Sequence, residues 1–174
     1  MTEPTLKIYK MYDDVIVPQF QTSGSACMDV HAYFPDSLAV RYLLKGWTEE
    51  NSNWDCPVSL NREIRIKPGY RVMIPTGMIL DIPEGYSVRV HNRSSLPIKQ
   101  GIKLANQEGI IDFDYFDPFF VVLENTTTDL ITISHGDRIA QIEMVPMLKY
   151  NVEVTTEKPQ PKTDRSGGFG STGR

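Results

Sequence analysis

The chain has 174 residues, 40% of them hydrophobic, and a net charge of -4 at neutral pH. That length and apolar content suit one folded domain and exclude a disordered chain. The acidic balance excludes a general nucleic-acid binder, whose affinity comes from neutralising many phosphates, and no apolar run approaches the length of a membrane span.

In chain order, the opening residues 1–7 lack the basic-then-apolar pattern of a secretory signal, so a soluble, cytoplasmic protein is expected. Short alternating segments follow at 6–11, 62–67, 70–74, 78–82 and 86–91, separated by breakers such as Pro68-Gly69, Pro75 and Pro83-Glu84-Gly85. Later segments are expected at 119–124, 130–133, 138–145 and 151–155. Regular short strands with Gly/Pro turns predict an all-β sandwich or barrel whose second apolar face is covered by another sheet or a neighbouring subunit. Two stretches break the pattern. Residues 95–100 fit about one helical turn, with Ser94 as cap and Gly101 as stop. Residues 35–61 hold Trp47 and Trp54 and read as an insertion, with a short helix from Asp36/Ser37 through 38–45 closed by Gly46. From 158 to 163 the chain turns to Pro, Lys and Gln, an extended arm leading to a Gly-rich tail. The expected division is a β domain over 1–157 and a flexible arm over 158–174.

The tail runs Arg165-Ser166-Gly167-Gly168-Phe169-Gly170-Ser171-Thr172-Gly173-Arg174. Glycine backbone N–H groups approach a phosphate closely, hydroxyls add donors, arginine forks fit phosphate oxygens, and Phe169 offers a face for a base. The plainer alternative is a Gly/Ser linker. Four clusters stand out in the body. Asp29, within Ser25-Ala26-Cys27-Met28-Asp29-Val30, is a turn acceptor or a carboxylate supporting a site, with the turn favoured. His91-Asn92-Arg93-Ser94-Ser95 leaves a strand for a helical turn and is either a phosphate grip or an ordinary cap with a surface arginine. In the segment 106–115, Asp112 and Asp114 share one strand face, while Asp112 and Tyr115 face one pocket only if the chain bends. Gly136-Asp137-Arg138-Ile139-Ala140-Gln141 is a turn and strand. It puts Arg138, Ala140 and Ile142 on one face, Ile139, Gln141 and Glu143 on the other, and Gln141 in solvent or half-buried. Cys27 and Cys56 are too few and too far apart for a disulfide framework or zinc cluster, and His31, His91 and His135 lack metal-ligand spacing.

Together the five segments resemble the trimeric dUTPase family, the deoxyuridine triphosphate nucleotidohydrolases. The resemblance rests above all on Gly109-x-Ile111-Asp112-x-Asp114-Tyr115, Gly136-Asp137-Arg138-Ile139-Ala140-Gln141 and Gly167-Gly168-Phe169-Gly170-Ser171-Thr172-Gly173. It implies a jelly-roll-like β fold and a homotrimer with sites at the subunit junctions. The implied reaction is hydrolysis of dUTP to dUMP and pyrophosphate, which limits uracil incorporation into DNA and supplies dUMP for dTMP synthesis.

By the same resemblance, Asp112 holds the attacking water and Tyr115 stacks beneath the deoxyribose, excluding a 2′-hydroxyl. The backbone around Asn106 reads the uracil edge, with Gly109 and Ile111 in the same substrate-binding segment. Arg93, Ser94, Ser95 and Gln141 serve the phosphate chain. Asp29 acts through water on a Mg2+ ion carried by the triphosphate. Phe169 covers the uracil, with Arg165, Ser171 and Thr172 on the outer phosphates and Gly170 in the same substrate-binding segment. The chain departs from the family pattern at Cys27 (usually Gly), Asn92 (usually Pro), Ser95 (usually Gly) and Phe116-Asp117 (usually Arg-Gly), and its tail is one residue shorter after Arg165. These departures touch loop geometry and trimer contacts. A related reading is dCTP deaminase, for which Glu124 is the candidate glutamate, but Glu124 directly precedes Asn125 and the Gly-rich tail is foreign to that enzyme. A third is a non-catalytic nucleotide- or partner-binding protein, with insertion 35–61 as a possible protein contact.

Overall fold

A computed structural model describes residues 3–35, 39–43, 54–57, 59 and 61–164. Thirteen strands and one short helix follow in order: β1 (Lys7–Lys10), β2 (Met28–His31), β3 (Ala39–Leu43), β4 (Trp54–Pro57), β5 (Glu63–Ile66), β6 (Arg71–Pro75), β7 (Met78–Asp81), β8 (Tyr86–His91), α1 (Ser95–Lys99), β9 (Ile102–Leu104), β10 (Gly109–Ile111), β11 (Phe120–Asn125), β12 (Ile131–Ser134) and β13 (Arg138–Pro146). Two sheets form the main layers, ordered β10-β8-β13-β2 and β4-β3-β6-β11-β9; the pairs β1-β7 and β12-β5 complete the arrangement. Every pairing is antiparallel. This is the expected all-β, jelly-roll-like class.

Period-two alternation decides which residues enter the core. Val88 and Val90 of β8, Val72 and Ile74 of β6, Val121 and Leu123 of β11, Ile64 and Ile66 of β5 and Ile102 and Leu104 of β9 are all buried. Branched side chains dominate because they pack well on a pleated, half-buried surface. Asn125 ends β11 with its side chain fully buried and satisfied. It donates to the carbonyls of Ile66 (2.9 Å) and Asp129 (2.8 Å) and accepts from the Thr127 N–H (2.9 Å) and hydroxyl (2.8 Å). One amide thus joins β11 to β5 and shapes the following turn.

Three expectations are corrected. The helix expected over 38–46 is the strand β3 where the chain is described. It pairs with β4 (Tyr42 opposite Trp54) and with β6 (Tyr42 opposite Val72). Val40 and Tyr42 prefer a pleated surface, and the edge of β6 offers a ladder that a lone helix would lack. Residues 151–155 form no strand. Leu148, Tyr150, Val152 and Val154 alternate as a strand would, yet they are between 79% and 93% exposed, and among the described residues no edge pairs with them. On β13 the face assignment fails at its start. A register shift between Arg138 and Ala140 leaves both Ile139 and Ala140 buried, while Gln141 and Glu143 are half-buried. The helical turn 95–100 is present, and Gly101 stops it with φ +63, a conformation costly for residues with a Cβ. Ser94 makes no side-chain cap, so its hydroxyl is not used by the helix.

Candidate active site

The body's candidate residues fall into two groups. The first lines a groove of about 240 Å3 between the segment joining β9 to β10 and β11. Its walls include Val90, Leu104, Ile111, Phe119 and Val121, all buried, while Asn106, Asp112 and Tyr115 stand at the exposed rim. An apolar floor with a few polar groups at its edge suits a flat heterocycle and sugar. The bend needed to bring Asp112 and Tyr115 together is present: the Tyr115 N–H donates to the Asp112 carbonyl (3.1 Å), closing a turn directly after β10. The Tyr115 hydroxyl donates to the Pro118 carbonyl (3.2 Å), which fixes the ring along the rim. Gly109 sits close to its neighbours. A Cβ there would lie 3.0 Å from Val90 Cβ and 3.5 Å from Asn106 Nδ2, so Val90 would have to give by a few tenths of an ångström. Asp114 is exposed and does not line the groove.

The second group gathers around Asp29. The turn reading of Asp29 is corrected: it lies in β2, opposite Gln141, with its side chain 10% exposed. Its carboxylate accepts from Arg93 Nε (2.8 Å) and from an Arg138 guanidinium N–H (3.2 Å). The two guanidiniums held on this carboxylate line a polar cleft together with Gln100 and Asp137. Gln141 donates from Nε2 to the Asn92 carbonyl (2.9 Å), and Asn92 Oδ1 accepts from the Leu104 N–H (2.7 Å). Asn92 therefore ties the loop after β8 both to β13 and to β9, a role its place in the sequence does not announce. Arg138 is likewise a site residue that sequence reasoning left out, although it stands inside a motif already singled out.

Hard cations prefer oxygen ligands and keep several waters. A divalent ion bound directly to Asp29 would sit against two guanidiniums, so only a contact through water fits this carboxylate. Glu124 is engaged elsewhere, between Lys103 (3.6 Å) and Arg71 (3.9 Å), and does not line the groove. Next to Asp29, burial first, and then the Glu143 and Asp29 carboxylates, raise the Cys27 thiol pKa. Burial lowers the His31 pKa against the pull of Asp29. Arg165, Phe169, Gly170, Ser171 and Thr172 lie outside the described residues, as does Trp47.

Comparison with known proteins agrees with this geometry. Residues 53–173 match the family model for dUTPase. That range includes the groove residues, Arg93, Gln141 and the tail motif, and stops short of Asp29. The chain is 43% identical over 127 residues to the deoxyuridine 5′-triphosphate nucleotidohydrolase of Desulfotalea psychrophila, covering 72% of this chain and 83% of that protein. It is 36% identical over 160 residues to the enzyme of the same description from Roseobacter denitrificans, covering 91% and 88%. Among solved structures, a dUTPase of Staphylococcus bacteriophage 80alpha superposes with a TM-score of 0.71 at 18% identity, covering 97% of this chain and 98% of that one. A dUTPase of phage phi11 of S. aureus, described with a structural Mg(II) ion, superposes with a TM-score of 0.64 at 16% identity, covering 88% and 97%. At such identities the structural likeness speaks for the fold.

Proposed function

The chain belongs to the dUTPase family, and on that premise we propose that it hydrolyses dUTP to dUMP and pyrophosphate at a site completed by neighbouring copies of itself. The observation that carries the reaction is the groove, where Asp112 and Tyr115 meet at the rim of an apolar slot beside the Asn106 turn. Uracil and deoxyribose enter the slot, with the Tyr115 ring against the sugar where a 2′-hydroxyl would collide. The Asp112 carboxylate accepts a hydrogen bond from water and aligns it for attack on the α-phosphorus, and pyrophosphate leaves in line. Positioning and charge neutralisation do most of the work in phosphoryl transfer.

One chain does not reach the whole triphosphate. Ile111 pairs with Val88 near the start of β8, so Asp112 stands at that end. Arg93 follows the opposite end of β8, roughly 20 Å away by strand rise. Two side chains so separated do not converge on one α-phosphorus. The phosphate grip of Arg93, Ser94, Ser95 and Gln141 therefore serves the groove of an adjacent copy, which supports a homotrimer with shared sites. The exposed alternating residues Leu148, Tyr150, Val152 and Val154 fit the same assembly, since an unpartnered strand-like arm finds its ladder on another chain. Beyond it, the arm over 158–174 closes the site, with Phe169 over the base, Arg165, Ser171 and Thr172 on the outer phosphates and Gly170 in the same substrate-binding segment.

Asp29 holds Arg93 and Arg138 in place and would contact, through water, a Mg2+ ion that would supply charge neutralisation to the triphosphate. Among the described residues no helix is long and apolar enough to cross a membrane. We assign the enzyme to the cytoplasm, where its nucleotide substrate is made. The test is pyrophosphate release from dUTP, dCTP, dTTP and UTP with Mg2+. Turnover of dUTP with the other three nearly untouched is expected. Ammonia release from dCTP would favour a deaminase instead, and nucleotide binding without turnover would favour a binding protein.

A further inference from the structure

The outer face of the β10-β8-β13-β2 sheet carries a cluster that the hydrolytic reaction does not use. His91 on β8 and Glu143 on β13 are diagonal cross-strand neighbours, since His91 pairs with Gln141. Cys27 directly precedes β2, where Met28 pairs with Ile142, so it arrives beside Glu143 from the other side. The thiol, an imidazole nitrogen and a carboxylate oxygen of these three lie within 4.8 Å of one another, and all three residues are half-buried. None of them lines the groove.

We propose that Cys27, His91 and Glu143 bind a zinc ion. Three observations support this beyond proximity. The donor set is sulfur, nitrogen and oxygen, which suits borderline metals such as Zn2+ and Co2+ and not Mg2+. Ligand atoms around a tetrahedral zinc lie about 3.3–3.8 Å apart, given bonds of about 2.0–2.3 Å. The 4.8 Å limit of the cluster lies about 1 Å beyond that spacing. The second ring nitrogen of His91 also has a carboxylate of its own. His91 Nε2 lies 3.0 Å from Glu143 Oε1, while Nδ1 lies 3.6 Å from Glu108 Oε1. A metal-bound histidine commonly donates its other N–H to such a carboxylate, which fixes its tautomer and ring orientation. Arg89 holds Glu108 from the far side (3.5 Å). The fourth coordination position is left for water. Spacing along the sequence hides this site, because its ligands sit at 27, 91 and 143 and only the sheet brings them together.

The test uses the full chain, stripped by chelator under reducing conditions and titrated with Co2+. One Co2+ per chain, a thiolate-to-cobalt charge-transfer band, displacement by Zn2+ and indifference to excess Mg2+ are expected. Cys27→Ser should abolish the band and Cys56→Ser should keep it. His91→Asn and Glu143→Gln should weaken binding at least about tenfold, and Glu108→Gln about 10–100-fold with the band retained. Circular dichroism and elution volume verify that each variant is folded, with Cys27→Gly as a second probe should Cys27→Ser misfold. No thiolate band in the native chain, or a band that survives Cys27→Ser, overturns the proposal. Neither result bears on dUTP hydrolysis, so this reading and the catalytic one stand or fall separately.

Discussion

Replacing Asp29 by Ala should destabilise the protein and, at the same time, make it more responsive to phosphate. The wild-type carboxylate is 10% exposed and is held by Arg93, 19% exposed, and Arg138, 49% exposed. Breaking a buried ion pair costs about 3–5 kcal/mol, mostly because the partner charge is stranded. Here two guanidiniums are stranded, but Arg138 swings to solvent, so about 2–3 kcal/mol is the better figure. At about 2–4 °C per kcal/mol for a chain of this size, the melting temperature should fall by roughly 4–12 °C. Pyrophosphate should then return more stability to the variant than to the native chain, because the unpaired guanidiniums accept a new anion. Thermal melts by circular dichroism with and without pyrophosphate measure both effects. A melting temperature within a degree of native, or equal stabilisation of both proteins by pyrophosphate, would refute the clamp.

Gly109→Ala pushes a Cβ to 3.0 Å from Val90 Cβ, so Val90 or the segment entering β10 must give by a few tenths of an ångström. Stability should drop by about 1–3 kcal/mol in denaturant titration, with a raised KM for dUTP. Asn125→Ala strands buried groups that the amide now satisfies, at about 1–3 kcal/mol for each group left unpaired. The folded fraction should keep its turnover number, since Asn125 does not line the groove. Burial, reinforced by the Asp14 carboxylate that accepts from its hydroxyl (2.6 Å), raises the Tyr33 pKa to about 12. The folded state therefore favours the protonated phenol. The stability this brings is complete below pH about 10 and fades as pH rises towards 12. Denaturant titrations across that window should show the loss in the native protein and a flatter profile in Tyr33→Phe.

Alternation made the strands legible where they also carry the core, as in β5, β6, β7, β8, β11 and β13. It did not reveal β9 and β10, because three-residue strands are too short for a period to register. β3 was misread since Leu38-Ala39-Val40-Arg41-Tyr42-Leu43 carries no periodicity that separates a helix from a strand; the waiting edge of β6 decides. Residues 151–155 show the converse, a strand pattern with no partner among the described residues. Among the site residues, Asp112 and Tyr115 were legible as a pair only on condition of a bend, and the turn from Asp112 to Tyr115 supplies it. The sequence marks Asn92 only as a departure from the family pattern, because its role rests on two contacts with β9 and β13 that only the fold creates. The same holds for Cys27, His91 and Glu143.

The central claim is that one copy supplies Asp112 and a neighbour supplies Arg93. It is tested most directly by mixing two inactive variants, Asp112→Asn and Arg93→Ala, after dissociation and reassembly. Shared sites predict that the mixture regains dUTP hydrolysis, at about a quarter of native activity for random 1:1 trimers in which each site pairs two adjacent chains. A mixture as inactive as its two components, with exchange of subunits verified, would contradict the account.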